Sequence, residues 1–206
     1  MVRTRVGYAG GTTENPTYYN LADHTETIQM DYDPAKITYE QLLDVFWDSH
    51  NPTSPAWSRQ YMSIVFYHDE QQKKAAETSK AREAIRRGKE VSTVIVPASE
   101  FYLAEDYHQK HSLRSRSELL NEYLAIYPNG EDFVNSTAVT RANGYVGGSG
   151  TLDALEIEQD TMGLSPEARH QLWALVSTYD RSRSADRTED AGAKEQSCSI
   201  GDGGCG

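Results

Sequence analysis

The stretch ENPTYYNLADHTE, residues 14–26, gathers two tyrosines, a histidine and several acids where a loop leads into a strand. A carboxylic acid such as Glu26, close to the hydroxyl of Tyr18, can protonate and hydrogen-bond a polar oxygen on a substrate. The same residues also fit a plain turn at Asn15-Pro16 in which Tyr18 only packs. The residue types alone favour the plain turn and leave the catalytic interpretation open.

A second group of aromatic residues surrounds the proline-rich loop in FWDSHNPTSPAWSRQY, residues 46–61. Aromatic side chains clustered on a loop can line an apolar pocket. The alternative is a helix with a buried aromatic face followed by a connector, and the residues alone favour that alternative. The aromatic side chains concerned are Phe46, Trp47, Trp57 and Tyr61.

The segment FYLAEDYHQKH carries acids and histidines at a density that raises the question of a metal site. A His-x-x-His pair with neighbouring acids but no further ligands at a set spacing is a weak signal, and it differs from the HExxH pattern. We therefore predict no metal here and expect a hydrogen-bonded turn. The residues in question are Glu105, Asp106, His108 and His111.

Both cysteines of the chain, Cys198 and Cys205, lie near its end in CSIGDGGCG. A mobile, glycine-rich loop of this kind can close into a disulfide without strain. Two accessible thiols on such a segment are typical of a thiol–disulfide relay. The alternative is a pair of solvent-exposed thiols without a role.

Composition limits the partners that this protein can have. The chain has 206 residues and a formal net charge of −11, which argues against non-specific binding to nucleic acid or to anionic membranes. No apolar run is long enough to span a bilayer, and the first residues lack the apolar stretch of a secretory signal. We expect a cytoplasmic, reduced protein and a monomer.

The elements up to residue 112 alternate in a way that predicts an α+β fold. Residues 3–8 and 24–32 read as an antiparallel pair of strands, and residues 61–67 and 91–97 as two further strands. A capping box at Thr38 and Gln41 begins one helix. A second helix begins after Asp69 and ends at Gly88.

The remainder of the chain has a different texture. Residues 113–180 read as a helical extension, with a glycine-rich and then acidic loop over 145–163 and a final helix that begins at Ser165-Pro166. Residues 181–206 are charged, rich in serine and glycine and almost without large apolar side chains, so we expect a flexible tail. The predicted organisation is therefore a domain over 1–112, the extension and the tail.

Together these stretches resemble the peptide methionine sulfoxide reductases of the A class, which reduce the S epimer of methionine sulfoxide. The similarity runs through RVGYAGGTTENPTYYNLADHTETIQMDYDP, RQYMSIVFYHDEQQ and FYLAEDYHQK, and it covers about residues 3–111. The resemblance implies the ferredoxin-like α/β sandwich core of that family. It also implies protein repair under oxidative stress, with oxidised proteins and free methionine sulfoxide as substrates.

The resemblance also implies roles for individual residues. In the family a thiolate attacks the sulfoxide sulfur and becomes a sulfenic acid, which a second thiol resolves as a disulfide that thioredoxin reduces. By motif, the acid that protonates the sulfoxide oxygen is Glu26, and the hydroxyls that bind this oxygen belong to Tyr18 and Tyr61. The resolving thiols correspond to Cys198 and Cys205. No prosthetic cofactor is implied, only a dithiol reductant.

Two departures from the family pattern stand out. The family nucleophile lies in a GCFWG motif upstream of GYAGG, whereas this sequence begins shortly before Tyr8, so the nucleophile with its strand and helix is expected to be absent from the chain as given. That strand is expected to lie inside the sheet, so its absence would expose strand edges. Ala56 stands where relatives often carry an aspartate, and Trp57 is expected to reshape the pocket.

Three functional hypotheses follow from this pattern. The first is a thiol-dependent reductase whose nucleophile, cysteine or selenocysteine, is encoded upstream of Met1. The second is an inactive pseudoenzyme that binds methionine sulfoxide. In the third, Cys198 or Cys205 has taken over as the nucleophile.

Overall fold

The computed structural model describes the backbone of residues 1–198 and the side chains of residues 1–183. The chain divides into two compact units. The first contains Met1–Lys110 and Gly130–Thr140, and the second contains His111–Asn129 and the residues from Arg141 onward.

The first unit contains two small sheets. Strand β1 (Arg3–Ala9) is central in one of them, between β2 (Thr25–Asp31) and the short β5 (Tyr102–Leu103). All pairings in this sheet are antiparallel, and the β1–β2 register places Tyr8 opposite Glu26. The second sheet is the parallel pair β3 (Ile64–Tyr67) and β4 (Val94–Pro97).

Helices α1 (Tyr39–Asp48) and α2 (Glu70–Arg87) pack beside the parallel pair. The predicted capping box of α1 is confirmed, since Thr38 and Gln41 exchange both hydrogen bonds. Asp69 caps α2, and Gly88 ends it in the left-handed conformation with φ of 62°. The core between them contains Leu43, Trp47, Val65, Ala76 and Val91.

A segment from beyond Lys110 completes the first unit. Helix α5 (Gly130–Asn135) contacts β1, where the Arg5 guanidinium donates to the Asn135 side-chain oxygen at 2.7 Å. The buried Lys110 ammonium donates to Thr4 O at 2.6 Å and to the Thr140 hydroxyl at 2.9 Å. Residues 130–140 therefore belong with the first unit, although composition placed them in a separate extension over 113–180.

The second unit is helical. Its helices are α3 (His111–Arg114), α4 (Ser117–Ile126), α7 (Leu152–Glu158), α8 (Pro166–Cys198) and the part of α6 (Thr137–Val146) from Arg141 onward. Helices α4 and α8 contact each other, as do α7 and α8, around the buried side chains of Tyr123, Leu155 and Leu172. Short 3₁₀ turns lie at Arg59–Tyr61 and Gln159–Thr161.

Two predictions for this region differ from the structure. The expected loop over 145–163 contains α7, because the Thr151 hydroxyl accepts a hydrogen bond from Ala154 N and caps a helix there. Helix α8 continues to Cys198, whereas a flexible tail was expected from Arg181. At its start, Ser165 caps the helix as predicted, and its hydroxyl accepts from Ala168 N at 3.2 Å.

Among the described helices, none is both long enough and apolar enough to cross a bilayer.

Candidate active site

The loop between β1 and β2 is held in shape by one carboxylate. Asp23 accepts hydrogen bonds from the backbone and hydroxyl of Thr12 at 2.8 and 2.9 Å, and from those of Thr13 at 3.3 and 3.1 Å. The bonds from Thr12 lower the pKa of Asp23 well below its usual range. Asp23, ionised near neutral pH, therefore fixes the loop that carries Tyr18.

His24 reinforces the same loop from inside. Its ring is buried, Gly11 N donates to its Nδ1 at 3.3 Å, and its Nε2 lies 2.8 Å from Thr13 O. Because Nδ1 accepts and Nε2 faces a carbonyl, the geometry fits a neutral ring that is protonated at Nε2. A Cβ at position 11 would come within 2.6 Å of the His24 ring, which accounts for glycine there.

The 3₁₀ turn Arg59–Tyr61 is tied to this loop by its first residue. The Arg59 guanidinium donates to Asp23 O at 2.9 Å and to Gly10 O at 2.8 Å. In the other direction, the Thr25 hydroxyl donates to Arg59 O at 2.9 Å. These three bonds bring Tyr61 close to the start of β2, which carries Glu26.

Glu26, Tyr18 and Tyr61 converge at this place. The Gln60 amide donates to Glu26 Oε1 at 2.7 Å. Partial desolvation raises the pKa of Tyr61, and the nearby Glu26 and Tyr18 raise it further. Tyr18 is 37% exposed and Tyr61 44% exposed, so a ligand from solvent can reach both side chains.

The aromatic residues of the second group separate into two sets. Trp47 is buried in the core, where its indole N–H donates to the Ser79 hydroxyl at 3.0 Å. Trp57 is 82% exposed, and its ring centroid lies 4.9 Å from that of Tyr61. Trp57 and Tyr61 thus present an aromatic surface beside the carboxylate, while Trp47 has a packing role.

The acidic segment after β5 forms hydrogen bonds. Glu105 accepts from the Tyr8 hydroxyl at 2.7 Å and from Tyr18 N at 3.0 Å. In the described part of the chain, no group of three or more histidine, cysteine or acidic side chains could hold a metal ion. The interpretation of this segment as a hydrogen-bonded turn fits these contacts.

A cleft of about 320 Å³ opens beside this cluster, and both β2 and β3 line it. Each of these strands is an edge strand of its own sheet. The cleft walls include the apolar side chains of Ile28, Met30, Phe46, Ile64 and Phe101 as well as Glu26. Ile28 is 54% exposed, an unusual environment for a strand isoleucine.

The predicted thiols are described only in part. Cys198 is the last residue of α8, and only its backbone is described. Cys205 lies outside the described residues, so the structure gives no distance between the two cysteines of the expected relay.

Comparison with known proteins decides which family contains this arrangement. The family model for peptide methionine sulfoxide reductase matches residues 1–142. The chain belongs to the peptide methionine sulfoxide reductase family. By family it is an oxidoreductase, a thiol-dependent peptide-methionine (S)-S-oxide reductase with an α+β fold.

Individual reductases of this family give the extent of the similarity. A peptide methionine sulfoxide reductase of Drosophila melanogaster is 42% identical over 179 residues, covering 85% of this chain and 71% of the fly protein. Peptide methionine sulfoxide reductase A5 of Arabidopsis thaliana is also 42% identical, over 151 residues, and the match spans 59% of that protein. Reduced Mxr1 of Saccharomyces cerevisiae superposes with a TM-score of 0.51 at 31% identity, covering 56% of this chain and 71% of the yeast chain.

Sequence reasoning overlooked two residues that help to assemble this candidate site. Arg59 and Gln60 stand next to Tyr61 in RQY, yet only the tyrosine was assigned a role. An arginine and a glutamine beside a candidate catalytic tyrosine could have indicated this role. Their side chains carry several hydrogen-bond donors, which can bind loop carbonyls and carboxylates.

Proposed function

We propose that the cluster of Tyr18, Glu26 and Tyr61 binds and protonates the sulfoxide oxygen of methionine-S-sulfoxide. The observation that carries this proposal is the convergence of the three residues, which come from a loop, a strand and a 3₁₀ turn. The two hydroxyls donate hydrogen bonds to the oxygen and Glu26 supplies a proton. Trp57, whose ring lies beside that of Tyr61 at a tilt of 39°, is suited to contact the apolar part of the substrate.

The reaction transfers oxygen between two sulfur atoms. A thiolate attacks the sulfoxide sulfur and forms a transient sulfur–sulfur bond. The protonated oxygen then becomes bonded to the thiol sulfur as the sulfur–oxygen bond of the substrate and the sulfur–sulfur bond break, which leaves a sulfenic acid and the reduced thioether. The proton that this step consumes comes from Glu26. A second thiol then attacks the sulfenic sulfur, a disulfide forms and water leaves.

We place the attacking thiol or selenol on a further extended segment seated in the cleft between β2 and β3. β2 and β3 are edge strands, and both line the cleft. One strand inserted between them would therefore form backbone hydrogen bonds with both and join the two sheets. Glu26 lines the same cleft, which would bring a nucleophile on that segment near the acid.

For the second half of the reaction we propose Cys198 and Cys205 as resolving thiols, with thioredoxin or another dithiol as the final electron donor. They are the two cysteines of the chain, and the segment between them is rich in glycine. This chemistry needs no prosthetic group, and it suits a monomer in the reducing cytoplasm.

Binding tests the recognition step separately from turnover. N-acetyl-methionine-S-sulfoxide methylamide and its R epimer would be titrated into the 206-residue protein and followed by NMR. We expect tighter binding of the S epimer, with shifts at Tyr18, Glu26 and Tyr61. Equal binding of both epimers, or shifts elsewhere, would contradict the proposed site.

Turnover tests the source of the nucleophile. With a dithiol present, we expect reduction of the S epimer only when a synthetic peptide containing Gly-Cys-Phe-Trp-Gly is added, and none with the matched Ser peptide. If the protein turns over the sulfoxide without the peptide, and the Cys198→Ser, Cys205→Ser double variant does not, the nucleophile is one of these two cysteines instead. Selective binding without turnover under any of these conditions would identify a binding protein.

A further inference from the structure

Glu105 lies behind the candidate active site and is bound on two sides. Its Oε2 accepts the Tyr8 hydroxyl at 2.7 Å, and its Oε1 accepts the backbone N–H of Tyr18 at 3.0 Å. One carboxylate thus connects the central strand of the sheet to the loop that carries a substrate-binding hydroxyl.

The two ends of this connection differ in burial. Tyr8 is 2% exposed and packs with Leu21 and Ala104, so its hydroxyl is a fixed point. Tyr18 is far more exposed, and the backbone bridge between Thr17 and Asn20 beside it is local to the loop. Glu105 therefore supplies a long-range restraint on the backbone at Tyr18.

The bond from the Tyr8 hydroxyl also lowers the pKa of Glu105, which keeps the side chain ionised near neutral pH. An ionised carboxylate accepts both hydrogen bonds, and such charge-assisted bonds are about twice as strong as neutral ones. The ring of His108 lies 4.8 Å from that of Tyr18, so the tyrosine also has an aromatic neighbour from the segment that carries Glu105.

We infer that Glu105 is a positioning residue for sulfoxide recognition: it holds the Tyr18 backbone so that the Tyr18 hydroxyl meets the substrate oxygen. This inference rests on the proposed function, because it takes the role of Tyr18 from there. It adds a residue that touches neither the substrate nor the reacting atoms.

The test compares binding of the sulfoxide with binding of the matching thioether. The probes are N-acetyl-methionine-S-sulfoxide methylamide and N-acetyl-methionine methylamide, titrated by NMR into the 206-residue protein. We expect Glu105→Leu to weaken sulfoxide binding about fivefold or more, the equivalent of one lost hydrogen bond, and to leave thioether binding within about twofold. A purely structural role for Glu105 would weaken both ligands alike.

Conservative variants sharpen the comparison. In Glu105→Gln the side-chain oxygen can accept from Tyr18 N while the amide donates to the Tyr8 oxygen, so we expect a sulfoxide preference close to that of the wild type. Glu105→Asp keeps the charge but is one methylene too short to reach both partners, so it should lose preference. Glu105→Asp also serves if Glu105→Leu does not fold.

A double-mutant cycle identifies the partner through which Glu105 acts. In a Tyr18→Phe background, we expect Glu105→Leu or Glu105→Asp to cause no further loss of preference. A full loss in that background, or an unchanged preference in the single variants, would overturn this inference alone. Equal wild-type affinity for sulfoxide and thioether would overturn the proposed function, and this inference with it.

Discussion

At the scale of single residues, the candidate site combines exposed polar side chains with buried groups that hold them. Tyr18, Glu26 and Tyr61 are all accessible, whereas His24 and Tyr8 behind them are 1% and 2% exposed. Substitutions in the accessible set should therefore change ligand binding with little effect on stability, and substitutions in the buried set should affect both.

Removal of one hydroxyl gives the first prediction. We expect Tyr18→Phe and Tyr61→Phe each to weaken binding of the S-sulfoxide by about two- to tenfold, since a neutral hydrogen bond contributes about 0.5–1.5 kcal/mol. Thermal unfolding midpoints should stay within about 1–2 °C of the wild type, because surface substitutions usually change stability little.

The matched control for this prediction is Tyr19→Phe, since Tyr19 is 90% exposed and lies next to Tyr18. Calorimetric titration would measure all three affinities. Equal losses in Tyr18→Phe and Tyr19→Phe would show that the loop contributes only a general aromatic surface.

At the scale of elements, ion pairs reinforce the packing of α1 against α2. Arg82 pairs with Asp44, and Arg86 pairs with Asp48 at 2.7 Å. Arg86 also pairs with Glu83 at 2.7 Å, and Arg87 contacts both Glu83 and the carbonyl of Trp47. Glu83 is only 3% exposed, so its charge depends on these two guanidinium groups.

Acid should reveal this dependence. The hydrogen bond from Arg86, together with that from Arg87, lowers the pKa of Glu83 from 4.5 to about 2 in the folded protein. A lowered folded pKa means that the contribution to stability is complete above pH 4.5 and is lost as the pH falls toward 2. Between pH 4.5 and 2, we expect the urea midpoint of unfolding to fall less in Glu83→Gln than in the wild type.

Glu77→Gln is the control, because Glu77 is exposed on the same helix. Its acid profile should match that of the wild type. A Glu83→Gln profile as steep as the wild-type profile would show that other carboxylates cause the acid unfolding.

The end of α2 allows a prediction about backbone conformation. Gly88 has φ of 62°, and a Cβ placed there would meet nothing within 4 Å. Gly88→Ala should therefore cost only the left-handed conformation, about 1–2 kcal/mol in the free energy of unfolding. Gly88→Asn should cost less, because asparagine tolerates this conformation, and equal losses in denaturant unfolding would contradict the argument.

At the scale of the whole molecule, the unit that carries the site is discontinuous in sequence. It uses Asn135 and Thr140, which bind Arg5 and Lys110. A fragment that ends at residue 112 lacks both partners and leaves the Lys110 ammonium buried with fewer acceptors. We expect residues 1–112 to unfold at a lower urea concentration than residues 1–146, which keep α6 whole.

Substitutions in the full chain separate this effect from simple shortening. Asn135→Ala and Thr140→Val should each lower the urea midpoint of the full chain, whereas an exposed change such as Glu90→Gln should not. Equal midpoints for the two fragments would show that residues 130–140 contribute nothing to the unit.

Lys110 adds a pH signature to the same region. Burial lowers its pKa from 10.5 to about 8. Since the unfolded chain holds this proton up to a higher pH, the contribution of Lys110 to stability rises as the pH increases from about 8 toward 10.5. The wild type should gain stability over that range relative to Lys110→Met in thermal unfolding, and parallel curves would contradict the assignment.

Local interactions made much of the fold predictable from sequence. Thr38 with Gln41 begins α1, Asp69 with Gln72 begins α2 and Gly88 ends it, and each of these contacts spans only a few residues. The alternating pattern of residues 24–32 predicted β2 correctly for the same reason. The prediction of a loop over 145–163 was wrong because glycines near its start masked the cap at Thr151.

The sequence by itself determined the candidate groups Tyr18, Glu26 and Tyr61 and the family to which their motifs belong. Only the tertiary structure decided how these groups meet. The Arg59 guanidinium donates to Gly10 O, and the Glu105 carboxylate accepts from Tyr18 N. The physical reason is separation along the chain: a cap selects its partner within one helical turn, whereas Arg59 and Glu105 bind partners 49 and 87 residues away, which only the tertiary fold brings near.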